Sequence, residues 1–151
     1  MSVQAIELIN FKTSEDLRGS LTAVETGSCV PFEIARIFYM YNVPPGVDRG
    51  GHAHKFTKQV LIAVHGSIDI MCSDGTHDRL IELNSPSQGF LLPEMTWTRL
   101  LNFSENAVCL VLADTKYTMA HSIRDWVEYL DYLYLKPRKE PVSVVASALD
   151  E

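Results

Sequence analysis

"GVDRGGHAHKFTKQVLIAVHG", residues 46–66, sets two histidines two positions apart, His52 and His54, behind Arg49-Gly50-Gly51, and follows them with Gln59 and an apolar run. On an extended strand residues i and i+2 share a side, so the two imidazoles face the same way. A pair of titratable rings on one inward face serves no packing need. Imidazole ordinarily titrates at about 6.5, near working pH, so the pair points to proton transfer. Gln59 is placed to face the same interior from the next strand. Lys55 alternates to the opposite face of a regular strand, where a solvated charge competes with a ligand-binding role.

Outward from this stretch the chain is a series of short apolar or alternating runs: "AIELI", "SLTAVE", "EIARIFYMYNV", "KQVLIAVHG", "SIDIMC", "RLIEL", "GFLLP", "TRLLNF" and "AVCLVLA". Turn signals separate them, among them Pro44-Pro45-Gly46, Ser73-Asp74-Gly75 and Asn84-Ser85-Pro86-Ser87. This pattern predicts an all-β sandwich or barrel. The period changes only in "HSIRDWVEYLDYLYL", where Ile123, Trp126, Val127 and Leu130 make a helical stripe and Ser122 is placed as its N-cap. One short C-terminal helix is expected there. The organisation read from this is one domain over 1–135 and a loosely attached tail over 136–151, whose two prolines and mixed charge suit neither strand nor helix.

The spacing in residues 46–66 is G-x5-H-x-H-x4-Q-x6-G. It is the spacing of the first cupin motif, with Gln59 where that motif has glutamate. The second motif, G-x5-P-x-G-x2-H-x3-N, is met loosely by Gly89, Pro93 and Asn102, with Thr98 in the histidine's place. The fold expected is therefore a cupin, a jelly-roll β-barrel. A divalent metal there wants imidazoles and an anionic carboxylate; Gln and Thr offer neutral oxygens, so charge and ligand strength fall together. No metal and no other cofactor is expected.

Composition narrows the partners. A net charge of −6 with 21% charged residues argues against nucleic-acid binding, which needs a surplus of Lys and Arg. An anionic ligand must then meet a local basic cluster. No run approaches the roughly 18 apolar residues of a membrane span, and "MSVQAIELINF" lacks the features of a signal peptide. Cys29, Cys72 and Cys109 are scattered and odd in number, as reduced thiols of a cytoplasmic protein would be. His65, His77 and His121 fall near turns or ends and read as surface residues. On the strand 36–43, Tyr39 and Tyr41 share one face and Arg36 lies on the other. Aromatics in such a strand ordinarily pack, but a phenol turned to the histidines could relay a proton.

"RGSL" (18–21), "RIFYMYNVPPGVDRGGHAHK" (36–55), "QVLIAVHGSI" (59–68), "GFLLPEMTW" (89–97), "VLAD" (111–114) and "SIRDWVEYL" (122–130) together carry a resemblance. From about residue 3 to residue 133 the chain resembles the WxcM-like cupins, sugar 3,4-ketoisomerases that act on dTDP-4-keto-6-deoxyglucose. The resemblance implies a metal-free single-domain enzyme that moves the ketone from C4 to C3 through an enediol. It makes His52 the principal base and His54 and Tyr39 the assisting groups. It gives Arg49, with Arg18 and Arg36, to the diphosphate, where a guanidinium matches phosphate oxygens in a fork. It also implies a homodimer that exchanges its N-terminal strand, and a place in the biosynthesis of deoxy(amino) sugars such as those of lipopolysaccharide O-antigens. Two rival readings remain: a 3,5-epimerase of the same sugar, for which a His-Asp dyad is missing, and a non-catalytic sugar-binding cupin.

Overall fold

The computed structural model describes residues 2–135; the expected tail, 136–151, lies outside them. One five-stranded sheet is formed by β1 (Leu8–Asn10), β9 (Gln88–Leu92), β6 (Gln59–His65), β11 (Val108–Ala113) and β4 (Arg36–Met40), in that order. A second is formed by β12 (Ser122–Ile123), β5 (Arg49–His54), β10 (Trp97–Leu101), β7 (Ile68–Ser73) and β8 (Asp78–Leu83). Every neighbouring pair is antiparallel. The two sheets close face to face on a shared core that includes Ile68, Ile70, Leu83, Phe90 and Val111, as a jelly roll requires. Each such side chain contributes about 1.5–3 kcal/mol through burial.

The strand β6 explains its own unbroken apolar run. Leu61 and Ala63 face the inter-sheet core, while Val60 and Ile62 lie under a second cluster with Phe11, Val30 and Leu112. A strand buried on both faces does not alternate. The hairpin of β2 (Thr13–Asp16) and β3 (Gly19–Thr22) forms a sheet of its own, with Leu17 and Leu21 exposed.

Two expectations need correction. "AIELI" begins as a 3-10 turn over Val3–Ala5 and becomes strand only at Leu8, because Val3 is fully buried and its N–H donates to Asp74 Oδ2 at 3.0 Å. The C-terminal helix, α1 (Trp126–Tyr134), is capped by Asp125, whose side chain accepts from the Glu128 N–H at 2.9 Å. Ser122 is no cap. It and Ile123 are drawn into β12, opposite His54 and Ala53. The helical register therefore restarts later than the stripe suggested: Tyr129 is the buried residue and Val127 is exposed. The Tyr129 hydroxyl, shared between the carbonyls of Ser73 (3.1 Å) and Met95 (2.8 Å), fixes α1 across the outer face of the second sheet. No helix among the described residues is long and apolar enough to cross a membrane.

Candidate active site

The site begins with a bulge. His52 stands opposite Thr98 and Gly50 opposite Arg99, which leaves Gly51 as the extra residue on β5. Gly50 and Gly51 take φ of 84° and 79°, and a Cβ on Gly50 would lie 2.8 Å from the Thr98 carbonyl oxygen. Only glycine fits, and the kink re-aims the strand beyond it. Arg49-Gly50-Gly51 is thus the device that turns the following histidines inward.

His52 and His54 meet edge to face, with ring centroids 4.7 Å apart and their Nε2 atoms separated by 3.1 Å. They are 9% and 7% exposed. In a neutral pair one facing nitrogen must donate and the other accept. Burial pushes the His52 pKa down to about 4, helped by the charges of Arg124 and Arg49 and opposed by a backbone hydrogen bond to Gly50. Burial likewise takes His54 to about 3, with His52, Arg36, Arg124 and His121 adding to the depression. Both rings are therefore neutral at neutral pH, which is the form of a base.

The cavity beside them is small, about 30 Å³, with apolar walls from Phe38, Met40, Leu61 and Leu100 and polar groups from the histidines, Gln59 and Thr98. Gln59 is buried and faces the pair from β6 as the spacing predicted. Arg36 lies on the inward side of β4, its guanidinium carbon 5.1 Å from the Phe38 ring centre and 5.3 Å from that of Tyr117. Arg49 opens β5, and Lys55 follows its end with the ammonium 4.8 Å from the Tyr132 ring centre.

Tyr39 and Arg18 are not brought to the pair. Alternation on β4 turns Phe38 and Met40 into the pocket and Tyr39 outward, 61% exposed and 5.7 Å from the ring of Tyr41. A phenol on this strand position cannot face the histidines of its own chain. Arg18 sits at the hairpin turn and pairs with Asp16 at 2.5 Å, its side chain 90% exposed.

Sequence reasoning missed four residues. Thr98 was set aside because it is no metal ligand, yet it is buried in the pocket. Its motif position was the signal: Met95, where the motif has glycine, takes a φ of 58° as that glycine would. His121 is only half-buried, edge-on to Phe56 at 5.0 Å, and its charge acts on His54, so it is not a surface residue remote from the site. Arg124 acts on both histidines. Ser122 Oγ lies 3.4 Å from His54 Nδ1. Ser122 comes in on β12 and Arg124 directly after it, a strand too short to leave a period in the sequence.

The donor set does not fit a cupin metal. Two imidazoles meet a neutral amide and a neutral hydroxyl, and among the described residues no cluster of three or more His, Cys, Asp or Glu side chains forms.

Fold and site together define a cupin with a buried, neutral imidazole pair at its pocket. Residues 4–134 match the family described as "FdtA: WxcM-like, C-terminal", and the chain belongs to that family. It is 35% identical over 127 residues, covering 84% of this chain and 91% of the other, to the TDP-4-oxo-6-deoxy-alpha-D-glucose-3,4-oxoisomerase of Aneurinibacillus thermoaerophilus. It is similar in structure to a 3,4-ketoisomerase from Helicobacter canadensis, with a TM-score of 0.83, 42% identity and coverage of 86% and 98% of the two chains. A histidine-to-asparagine mutant of the 3,4-ketoisomerase QdtA from Thermoanaerobacterium thermosaccharolyticum, in complex with TDP-4-keto-6-deoxyglucose, gives 0.84, 35%, 87% and 95%. An epimerase from Mycobacterium tuberculosis shares the fold alone, at 16% identity and a TM-score of 0.68.

Proposed function

We propose that this protein is a sugar 3,4-ketoisomerase converting dTDP-4-keto-6-deoxyglucose to a dTDP-3-keto-6-deoxyhexose without a metal. The observation that carries the reading is the buried, neutral His52–His54 pair at 3.1 Å. A carbon acid beside a ketone needs one base at C3 and a donor at the ketone oxygen. His52 takes the C3 proton; the electron pair forms the C3–C4 double bond, and O4 gains a proton from His54 to give the enediol. The O3 proton then passes to His54, replacing the one it gave to O4, the C3 carbonyl forms, and C4 takes the proton held by His52. Gln59 and Thr98 are the remaining polar groups within the pocket to hold O3 and O4.

A cavity of about 30 Å³ holds water, not a pyranose. The sugar therefore lies across the mouth with its C3–C4 edge over the histidines. The diphosphate falls to Arg49, Arg36 and Lys55, to which Arg124 is added. Residues 1–135 are the working unit. Exposed Leu17 and Leu21 suit burial against a second copy, in a homodimer that exchanges N-terminal segments and could bring Arg18 to the partner's diphosphate. Three free thiols suit the cytoplasm, and a 3-keto product suits an aminotransferase on the way to a deoxyamino sugar of an O-antigen.

The test is incubation with dTDP-4-keto-6-deoxyglucose in heavy water, followed by NMR. We expect the ketone at C3, deuterium at C4 to the extent that His52 exchanges with water, and no enzyme-dependent label at C5. Label at C5 would make the protein an epimerase, and unchanged substrate with dTDP bound would make it a binding module.

A further inference from the structure

We propose that Ser122 is a positioning residue for this reaction: its hydroxyl donates to His54 Nδ1, which keeps the proton of His54 on Nε2 and leaves Nε2 of His52 bare. The inference rests on the ketoisomerase reading for the direction of its hydrogen bonds and its catalytic consequence, though not for the placement of the hydroxyl.

The placement of the hydroxyl is built. Ser122 pairs across β12 and β5 with His54 itself, and Ile123 beside it is fully buried. The Lys55 N–H donates to the His121 carbonyl at 2.8 Å, and the Met95 N–H donates to the His54 carbonyl at 2.7 Å, so the backbone at His54 and Lys55 is held from both sides. Within this frame Ser122 Oγ lies 3.4 Å from Nδ1, on the far side of the ring from the 3.1 Å contact to His52.

The direction of the chain follows from what His52 must offer. The charged groups acting on His54 are His52, Arg36, Arg124 and His121; all are cationic or neutral and none is a carboxylate. Among the described residues no acidic partner is there to fix the tautomer, so the task falls to a neutral group. At the far end, Nδ1 of His52 is buried with no hydrogen-bond partner among the described residues. A base at C3 needs a bare Nε2, which puts the proton of neutral His52 on Nδ1. Nε2 of His52 then accepts from Nε2–H of His54, and Nδ1 of His54 accepts from Ser122. When the C4 ketone enters, the His54 N–H turns to its oxygen and Nε2 of His52 is free to face C3. The reverse tautomers would leave His54 with nothing to donate and His52 with no lone pair to offer.

Two measurements test this. The first uses 15N NMR of histidine-labelled protein without substrate. We expect His54 bare at Nδ1 and protonated at Nε2 in the native chain, a mixed tautomer in Ser122→Ala, and the native one in Ser122→Thr. The second is kinetic: Ser122→Ala should lower kcat about tenfold with KM little changed, and Ser122→Thr should restore most of it. Removing a donor to bare Nδ1 also makes protonation of His54 easier, so the acidic limb of the Ser122→Ala pH profile should move to higher pH. A native His54 protonated at Nδ1, an alanine variant within twofold of the native kcat, or a threonine variant as slow as alanine would each overturn the proposal. Tautomers that behave as expected in a protein without isomerase activity would uphold the positioning role and reject the ketoisomerase reading.

Discussion

The inward face of β5 and the β2–β3 hairpin lie in one chain and obey opposite rules. His52 and His54 are almost fully buried, and β4, β6, β10 and β12 all supply their surroundings. The hairpin carries Leu17 and Leu21 into solvent, and its Arg18 turns back on Asp16. The described surroundings of the pair come from a single chain, whereas the hairpin exposes apolar side chains that a second copy could cover. Convergence on a centre leaves a signature in sequence spacing, whereas a surface awaiting a partner leaves only misplaced leucines.

The sharpest way to break the contrast is at its buried end. His52→Asn keeps shape and one hydrogen bond while removing the titratable nitrogen. Turnover should fall by roughly 10²–10⁴, the loss typical of a general base, with dTDP affinity retained by titration calorimetry. His54→Asn should cost less, since it assists. Near-normal turnover in His52→Asn, or greater sensitivity at His54, would reverse the roles.

The exposed end is probed by mass. In analytical ultracentrifugation the native chain should sediment as a dimer, and Leu17→Glu with Leu21→Glu should shift it towards monomer, because two carboxylates cannot enter an apolar contact unpaired. A native monomer would leave the hairpin with no role in assembly. A double variant that stays dimeric would move the interface elsewhere.

Stability against pH comes next. Unfolding releases both rings to water, where they take up protons near pH 6.5; folded, they resist until about 4 for His52 and about 3 for His54. In that window the unfolded chain holds more protons, so stability is full above about pH 6.5 and falls as the pH drops. Each group gives a slope of at most about 1.4 kcal/mol per pH unit. Asp74 adds its own loss at lower pH. Its burial opposes ionisation, but the N–H groups of His77, Thr76 and Val3 prevail and hold it at about 2, so its share disappears between 3.8 and 2. Urea unfolding should show the upper slope in the native chain and a weaker one in His52→Asn. A flat curve from pH 7 to 5 would mean solvated rings and no contrast with the hairpin.

How much the sequence discloses depends on the same distinction. The pair, Gln59 and the succession of short strands were legible because alternation and fixed spacing survive in one dimension. Thr98 was legible by position and obscured by its chemistry, since a threonine in a ligand's place reads as a loss. Ser122 and Arg124 were hidden because two residues of strand carry no period and the following helix absorbed them into its own. The sheet partners that fix which face of β4 turns inward lie far along the chain, at Val108–Ala113, so nothing local to residues 36–43 decides it.

Tyr39 gives the smallest expected effect and the most direct join between the two regions. Family resemblance makes it a proton-relay group, but Phe38 and Met40 hold the inward positions of β4, and Tyr39 lines a shallow surface with Tyr41, Asn42 and Asn106. Tyr39→Phe keeps the ring beside Tyr41 and deletes only the hydroxyl. With the pair served by its own chain, kcat should stay within about twofold and stability within about 0.5 kcal/mol, as at other exposed positions. A tenfold loss of kcat with unchanged mass and stability would require the phenol to reach a histidine pair that is not its own. The outer face of β4 would then border a second copy's pocket, and the chemistry at the histidine pair would depend on assembly as the proposed diphosphate contact of Arg18 does.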